Sequence, residues 1–130
     1  MNSNFYFYSG LLSGFYALYA TFKYYSLSGK NLIHCNDAKK MIKNDKIKYI
    51  IDVRTKAEWN IGHYSHAIHV PITSLSKKIL NEIISNKNKG ILVYCNTGQR
   101  ARRAAEIIES YGYSKVYYIE GHYSCLHYSL

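Results

Sequence analysis

Gly90-Ile91-Leu92-Val93-Tyr94-Cys95-Asn96-Thr97-Gly98-Gln99-Arg100 runs from an unbroken apolar stretch into a polar loop. The alanine-rich stretch Ala101-Arg102-Arg103-Ala104-Ala105-Glu106-Ile107-Ile108 follows at once. A short apolar run bounded by turn residues reads as a strand buried on both faces. The alanine-rich segment reads as a helix over Arg100 to Tyr111, ended by Gly112 as its C′ glycine. A cysteine at this junction meets backbone N–H groups that have no intrahelical partner. Those donors and the helix dipole favour negative charge there. The junction therefore predicts a thiolate nucleophile at Cys95 that needs no neighbouring base.

The same alternation extends outward in both directions. Asn31 to His34 reads as a short strand, and Asn36 or Asp37 as the cap of a helix through Ile42. Ile47 to Val53 is another buried strand, followed by a turn of helix from Thr55 to Trp59 that Gly62-His63 breaks. Ala67 to Val70 is a strand stopped by Pro71. Thr73 or Ser74 then begins a helix with Leu75, Ile79, Leu80, Ile83 and Ile84 at near-helical spacing. Lys115 to Ile119 is the last strand, and Gly121 turns the chain. Strands alternating with helices predict an α/β fold, with a mostly parallel sheet of about five strands covered on both faces. Ligands in such sheets bind outside the carboxyl ends of the strands, the edge that holds both Cys95 and Asp52.

With 130 residues and 48% apolar or aromatic content, the chain is sized for one domain with one core. Its net charge of +9 comes from 17 Lys and Arg against 8 Asp and Glu. The lysines are scattered over expected helix faces and loops, and no basic stripe interleaves with stacking aromatics. The expectation is therefore no nucleic-acid partner, and a positive field that draws in a small anionic substrate. Cys35, Cys95 and Cys125 are odd in number and far apart, which does not suggest a disulfide framework. Cys35 and Cys125 read as buried or half-buried thiols, with a resolving role for Cys125 as the alternative. No paired Cys/His spacing predicts a metal site, and His63, His66 and His69 read as turn and surface residues.

Residues 5–22 (FYFYSGLLSGFYALYATF) carry no charge and approach the length that spans a bilayer. Gly10 and Gly14 form a GxxxG pair, whereas the tyrosines favour the headgroup zone. The first 26 residues are thus expected to form a hydrophobic helical segment that anchors the chain in a membrane. An interfacial helix, or a secretory leader, is the alternative. The lysine-rich remainder would then lie on the cytoplasmic side, or the whole chain in the cytoplasm. Tyr24 to Lys30 reads as a linker to a domain over residues 31–130.

Three stretches, in order and at matching spacing, resemble the single-domain rhodanese family of sulfurtransferases. They are Ile51-Asp52-Val53-Arg54 with Glu58-Trp59, then Gly62-His63-Tyr64-Ser65-His66-Ala67-Ile68-His69-Val70-Pro71, then Cys95-Asn96-Thr97-Gly98-Gln99-Arg100. The stretch from Gly62 to Pro71 is similar to the family's "GHIPGAINIP" segment, and the stretch from Cys95 to Arg100 is similar to its CxxGxR loop. His66 and His122 stand where the family usually has glycine, and its usual C-terminal tryptophan is missing, with Leu126 or Tyr128 nearby. The resemblance implies a rhodanese-like three-layer fold, and sulfur transfer through a persulfide on Cys95 from thiosulfate or a related small anionic donor. The acceptor would be cyanide or a thiol, a thioredoxin-like or other protein thiol among them, with no metal or organic cofactor.

In that reading Asn96, Thr97, Gly98, Gln99 and Arg100 bind substrate: their amides stabilise anionic sulfur, Gly98 lets the loop curl and Arg100 closes it with a positive charge. Asp52, Arg54 and Glu58 read as an ion-pair set supporting the loop, and Trp59 as core. Arg102 and Arg103 read as solvated, or as contacts for an acidic partner. Two alternatives stand beside this one. A rhodanese-related phosphatase or arsenate reductase would need five residues between Cys and Arg, and here four intervene. A non-catalytic rhodanese-fold adaptor would more often have lost the cysteine.

Overall fold

The computed structural model describes residues 3–27 and 29–127. Five strands form one sheet: β1 Leu32–Ile33, β2 Ile47–Asp52, β3 Ala67–His69, β4 Gly90–Tyr94 and β5 Val116–Ile119. Their spatial order is β1-β5-β4-β2-β3, and every neighbouring pair is parallel. All five residues of β4 are buried, as its continuous apolar run requires of a central strand. Five helices accompany the sheet: α1 Ser3–Leu27, α2 Cys35–Lys43, α3 Lys56–Ile61, α4 Lys77–Ile83 and α5 Gln99–Ser110.

The two-residue period of the strands sorts the core onto two faces. Tyr49, Ile51, Ile91, Val93 and Cys95 pack under α4 and α5, with Leu80, Ala101, Ala104 and Ile108. Ile50, Leu92, Tyr94 and Ile119 face the other way, toward Ala38 of α2 and Leu126 near the C-terminus. Several of the tyrosines that fill these layers have a partner for the hydroxyl. Tyr118 accepts from the Gly29 amide, Tyr94 from the Tyr64 amide and Tyr49 from the Asn86 amide, while Tyr113 donates to Asn81. A ring that packs and a phenol that hydrogen-bonds are what a buried tyrosine needs.

Local chemistry explains most element ends. The Thr55 hydroxyl accepts from the Glu58 amide while the Glu58 carboxylate accepts from the Thr55 amide, a capping box that starts α3. Two starts differ from expectation. His34, not Asn36 or Asp37, precedes α2, and Asp37 lies in the first turn, where its charge complements the helix dipole. After Pro71 the chain makes a 3-10 turn over Ile72–Ser74, and α4 begins later with Ser76 as its cap.

Two expectations are overturned here. α1 forms, and continues through Leu27 into the stretch read as a linker, but no helix among the described residues is long and apolar enough to cross a membrane. Tyr6, Tyr8, Tyr16 and Tyr19, with Ser9, Ser13 and two glycines, dilute its apolar character. Cys35 and Cys125 are not free thiols: they form a disulfide across a sequence separation of 90, with Cα atoms 6.3 Å apart. The parallel pairing of β1 with β5, Ile33 opposite Ile119, brings the two chain segments together just beyond the sheet. This also removes Cys125 as a resolving thiol for Cys95. The Tyr128 named beside the missing tryptophan lies outside the described residues.

Candidate active site

Cys95 is the first residue after β4, and α5 starts four residues later. Between them the loop curls so that two backbone N–H groups donate to Cys95 Sγ, Gly98 at 3.1 Å and Ala101 at 3.4 Å. Gly98 makes the curl with φ of +98°, a left-handed conformation that a side chain would strain. Of the amides expected around the sulfur, Gly98 is one; Ala101 lies one residue beyond the stretch the sequence singles out. An orphan N–H of the first helical turn is free for such a role, which is the signal that could have named it.

The sulfur is not open to solvent. Cys95 is 0% exposed and belongs to the core layer beneath α5. The sequence predicts a thiolate nucleophile here and does not foretell this burial. Its physical reason is the pleat: residue 95 continues the inward-facing row of Ile91 and Val93, and the loop folds back over it.

An ion-pair layer buttresses the loop. Arg100 grips Glu58 with both terminal nitrogens, Nη1 to Oε2 at 2.8 Å and Nη2 to Oε1 at 2.9 Å. Asn96 Nδ2 donates to the same carboxylate at 3.0 Å. Glu58 is therefore a clamp that reaches from α3 to both ends of the loop. The Arg100 guanidinium holds the Glu58 carboxyl down to about 2, against the opposing effect of burial and with help from Thr55. Deeper, Arg54 lies against the fully buried Asp52, with Nη2 to Oδ2 at 2.8 Å, and donates to the Gly62 carbonyl at 2.6 Å. Its Nη1 reaches Asn96 Oδ1 at 3.5 Å. Asp52, Arg54, Glu58, Asn96 and Arg100 thus form one connected set under the loop, whereas the exposed side chains of Thr97 and Gln99 point to none of it. Asn96 and Arg100, read as substrate contacts, have their side chains engaged in this clamp.

Several supporting residues carry no signal in the sequence. Tyr123 lays its ring 4.9 Å from the Arg54 guanidinium, and a Cβ on Gly62 would meet the Tyr123 hydroxyl at 2.8 Å. His69 Nε2 bonds the Arg54 carbonyl at 2.9 Å. Trp59, expected in the core, is half-buried and stacks on His63 and His69. His122 takes the place of a glycine by accepting the Ser124 amide through Nδ1, which starts the last 3-10 turn.

Two tests arise from this layer. Asp52→Ala strands the Arg54 charge in the interior and is expected to cost about 3 kcal/mol, the low end for a broken buried pair because Gly62 still accepts from Arg54. Urea unfolding should then show the double variant Asp52→Ala/Arg54→Met as less damaged than Asp52→Ala alone. For Glu58, the folded carboxyl lies below its unfolded value. Its stabilising contribution is full above about pH 5 and is lost as pH falls toward 2. The thermal midpoint of wild type should exceed that of Glu58→Gln at neutral pH, and the gap should close between pH 5 and pH 2.

The model of the rhodanese-like domain matches residues 34–126. The chain belongs to the rhodanese-like domain family. A tRNA uridine(34) hydroxylase of Buchnera aphidicola is 32% identical over 92 residues, covering 68% of this chain and 29% of that protein. The chain thus spans under a third of the length of the curated relatives it matches. A rhodanese-like domain protein from Staphylococcus aureus superposes with a TM-score of 0.58 at 26% identity, over 74% of this chain and 90% of the other. A human single-domain sulfurtransferase superposes with a TM-score of 0.61 over 78% of this chain and all of the other; at 17% identity this is a likeness of fold. Helix α1 lies ahead of the residues the rhodanese-like family covers.

Proposed function

We propose that this chain is a sulfurtransferase that carries sulfane sulfur as a persulfide on Cys95. The observation that supports it is the pair of amides from Gly98 and Ala101 directed at Cys95 Sγ. Donors fixed on a sulfur stabilise negative charge on it before and after transfer. The Cys95 thiolate attacks the outer sulfur of thiosulfate. The new bond is Sγ–S, the S–S bond of thiosulfate breaks, and sulfite leaves with the electron pair. An acceptor thiolate or cyanide then attacks the outer sulfur of the persulfide and returns Cys95 to thiolate. Neither step needs an external oxidant or reductant. The loop of four residues between Cys95 and Arg100 suits one sulfur atom better than a tetrahedral phosphate. The hydroxylase reaction named for the curated relatives belongs to much longer proteins, of which this chain matches 29% in the Buchnera aphidicola relative.

A competing reading, a non-catalytic adaptor, is favoured by one observation: Cys95 is fully buried in the resting loop. For the enzyme, the loop over Cys95 must open far enough to admit the donor sulfur. Incubation with thiosulfate followed by intact mass measurement separates the readings. A gain of one sulfur on Cys95 is the expected result. No gain together with hydrolysis of an aryl phosphate would indicate the phosphatase, and neither reaction would leave the adaptor.

A further inference from the structure

An open cavity of about 520 Å³ adjoins the loop, lined by Gln99, Arg100, Arg102, Arg103 and Glu106 of α5, by Ile72 and by Phe22. Phe22 comes from α1, outside the residues matched by the rhodanese-like family. Thiosulfate and cyanide need no such room, so the cavity is sized for an organic reactant. Its charges narrow the choice. Arg100 is engaged by Glu58, and Arg102 by Glu106 through Nε to Oε1 at 3.0 Å. Arg103 is exposed and has no ion-pair partner among the described residues, so it is the cation left over. Phe22 and Ile72 supply apolar surface beside it. A ligand matching these walls has one anionic group for Arg103, an apolar stem for Phe22 and Ile72, and a sulfur directed at the loop.

We infer that the cavity between α1 and α5 is the acceptor site for a small carboxylate-bearing organic thiol, with Phe22 and Arg103 as its specificity residues; this rests on the sulfurtransferase reading. The acceptor thiolate attacks the outer sulfur of the Cys95 persulfide. Its new S–S bond forms as the bond to Sγ breaks, the electron pair returns to Cys95, and the proton on the terminal sulfur leaves with the product persulfide. A guanidinium on the rim attracts the carboxylate of the incoming thiol, an effect of a few-fold for an exposed pair.

The test compares 6-mercaptohexanoate with 6-mercaptohexanol as acceptors, with thiosulfate as donor. The two differ only at the sixth carbon from the sulfur, a carboxylate in one and a hydroxymethyl group in the other. Wild type should prefer the carboxylate by about fivefold in kcat/KM, and Arg103→Glu should bring that ratio to one or below. Phe22→Ala should lower kcat/KM for both hexyl thiols about threefold relative to cyanide. Equal use of the two thiols by wild type, or a ratio that Arg103→Glu leaves alone, overturns the inference. Ligand-observed NMR with hexanoate reads the site without turnover. If thiosulfate loads no sulfur, the sulfurtransferase reading has failed, and hexanoate binding then decides the ligand class alone. Binding weakened by Arg103→Glu upholds it, and no binding to wild type ends it.

Discussion

Cys95→Ser is expected to take up no sulfur from thiosulfate and to lose turnover by at least about 10³-fold, down to background. A serine hydroxyl does not ionise near neutral pH, and no persulfide can be built on oxygen. The fold should survive. Serine is close in size to cysteine, and its Oγ can accept from the same Gly98 and Ala101 amides that now reach Sγ. The cost is that of swapping one buried acceptor for another, about 1 kcal/mol. The decisive measurements are the intact mass after thiosulfate, a cyanide assay and a thermal midpoint on the same preparation. A variant that still gains sulfur would move the reaction off Cys95. Burial of the sulfur adds a kinetic expectation. Iodoacetamide should label wild-type Cys95 slowly and Glu58→Gln faster, because the two-pronged grip of Glu58 on Arg100 is broken. A wild-type thiol that resists labelling for as long as the protein stays folded, and takes no sulfur, would fit the adaptor.

Much of this site is legible along the chain because its determinants are local. The apolar run before Cys95, the glycine at 98 and the helix after it need no distant partner to be read. The capping box of Thr55 with Glu58 is equally local. What lies between segments is harder. That Glu58 reaches across to Arg100 and Asn96 depends on β2 lying beside β4, with Asp52 opposite Tyr94. Sequence groups Asp52, Arg54 and Glu58 as an ion-pair set but cannot divide them into a buried pair and an outer clamp joined to it through Asn96. The late start of α4 is hidden because Thr73, Ser74 and Ser76 all qualify as caps. Hydrogen bonding of the 3-10 turn, Ser74 amide to Pro71 carbonyl at 2.8 Å, selects the last of them. Burial of Cys95 follows from the pleat, which requires knowing where the strand ends. Tyr123 gives no hint along the chain: its role exists only once the last turn packs over Arg54.

The disulfide is the least legible feature, and its removal should have the largest effect on stability. Cys35 sits two residues past β1 and Cys125 six past β5, so their pairing depends on two strands that are adjacent only in the folded sheet. A crosslink closing a separation of 90 residues restricts the unfolded chain strongly. The chain-entropy model puts the stabilisation at roughly 4–5 kcal/mol. Cys35→Ser, Cys125→Ser and wild type held in excess dithiol should therefore all unfold at similar midpoints, roughly 10–20 °C below oxidised wild type. Thiol titration of the denatured oxidised protein should count one free thiol, that of Cys95, and three after reduction. The loss should also reach the loop. Cys125 lies in the 3-10 turn Tyr123–Leu126, whose Tyr123 covers the Arg54 guanidinium, and Arg54 in turn touches Asn96. Reduction should thus speed iodoacetamide labelling of Cys95 at temperatures where the domain is still folded. If reductant leaves the midpoint in place, or Cys35→Ser matches oxidised wild type, the crosslink does not stabilise the fold and the path from the last turn to the loop loses its anchor.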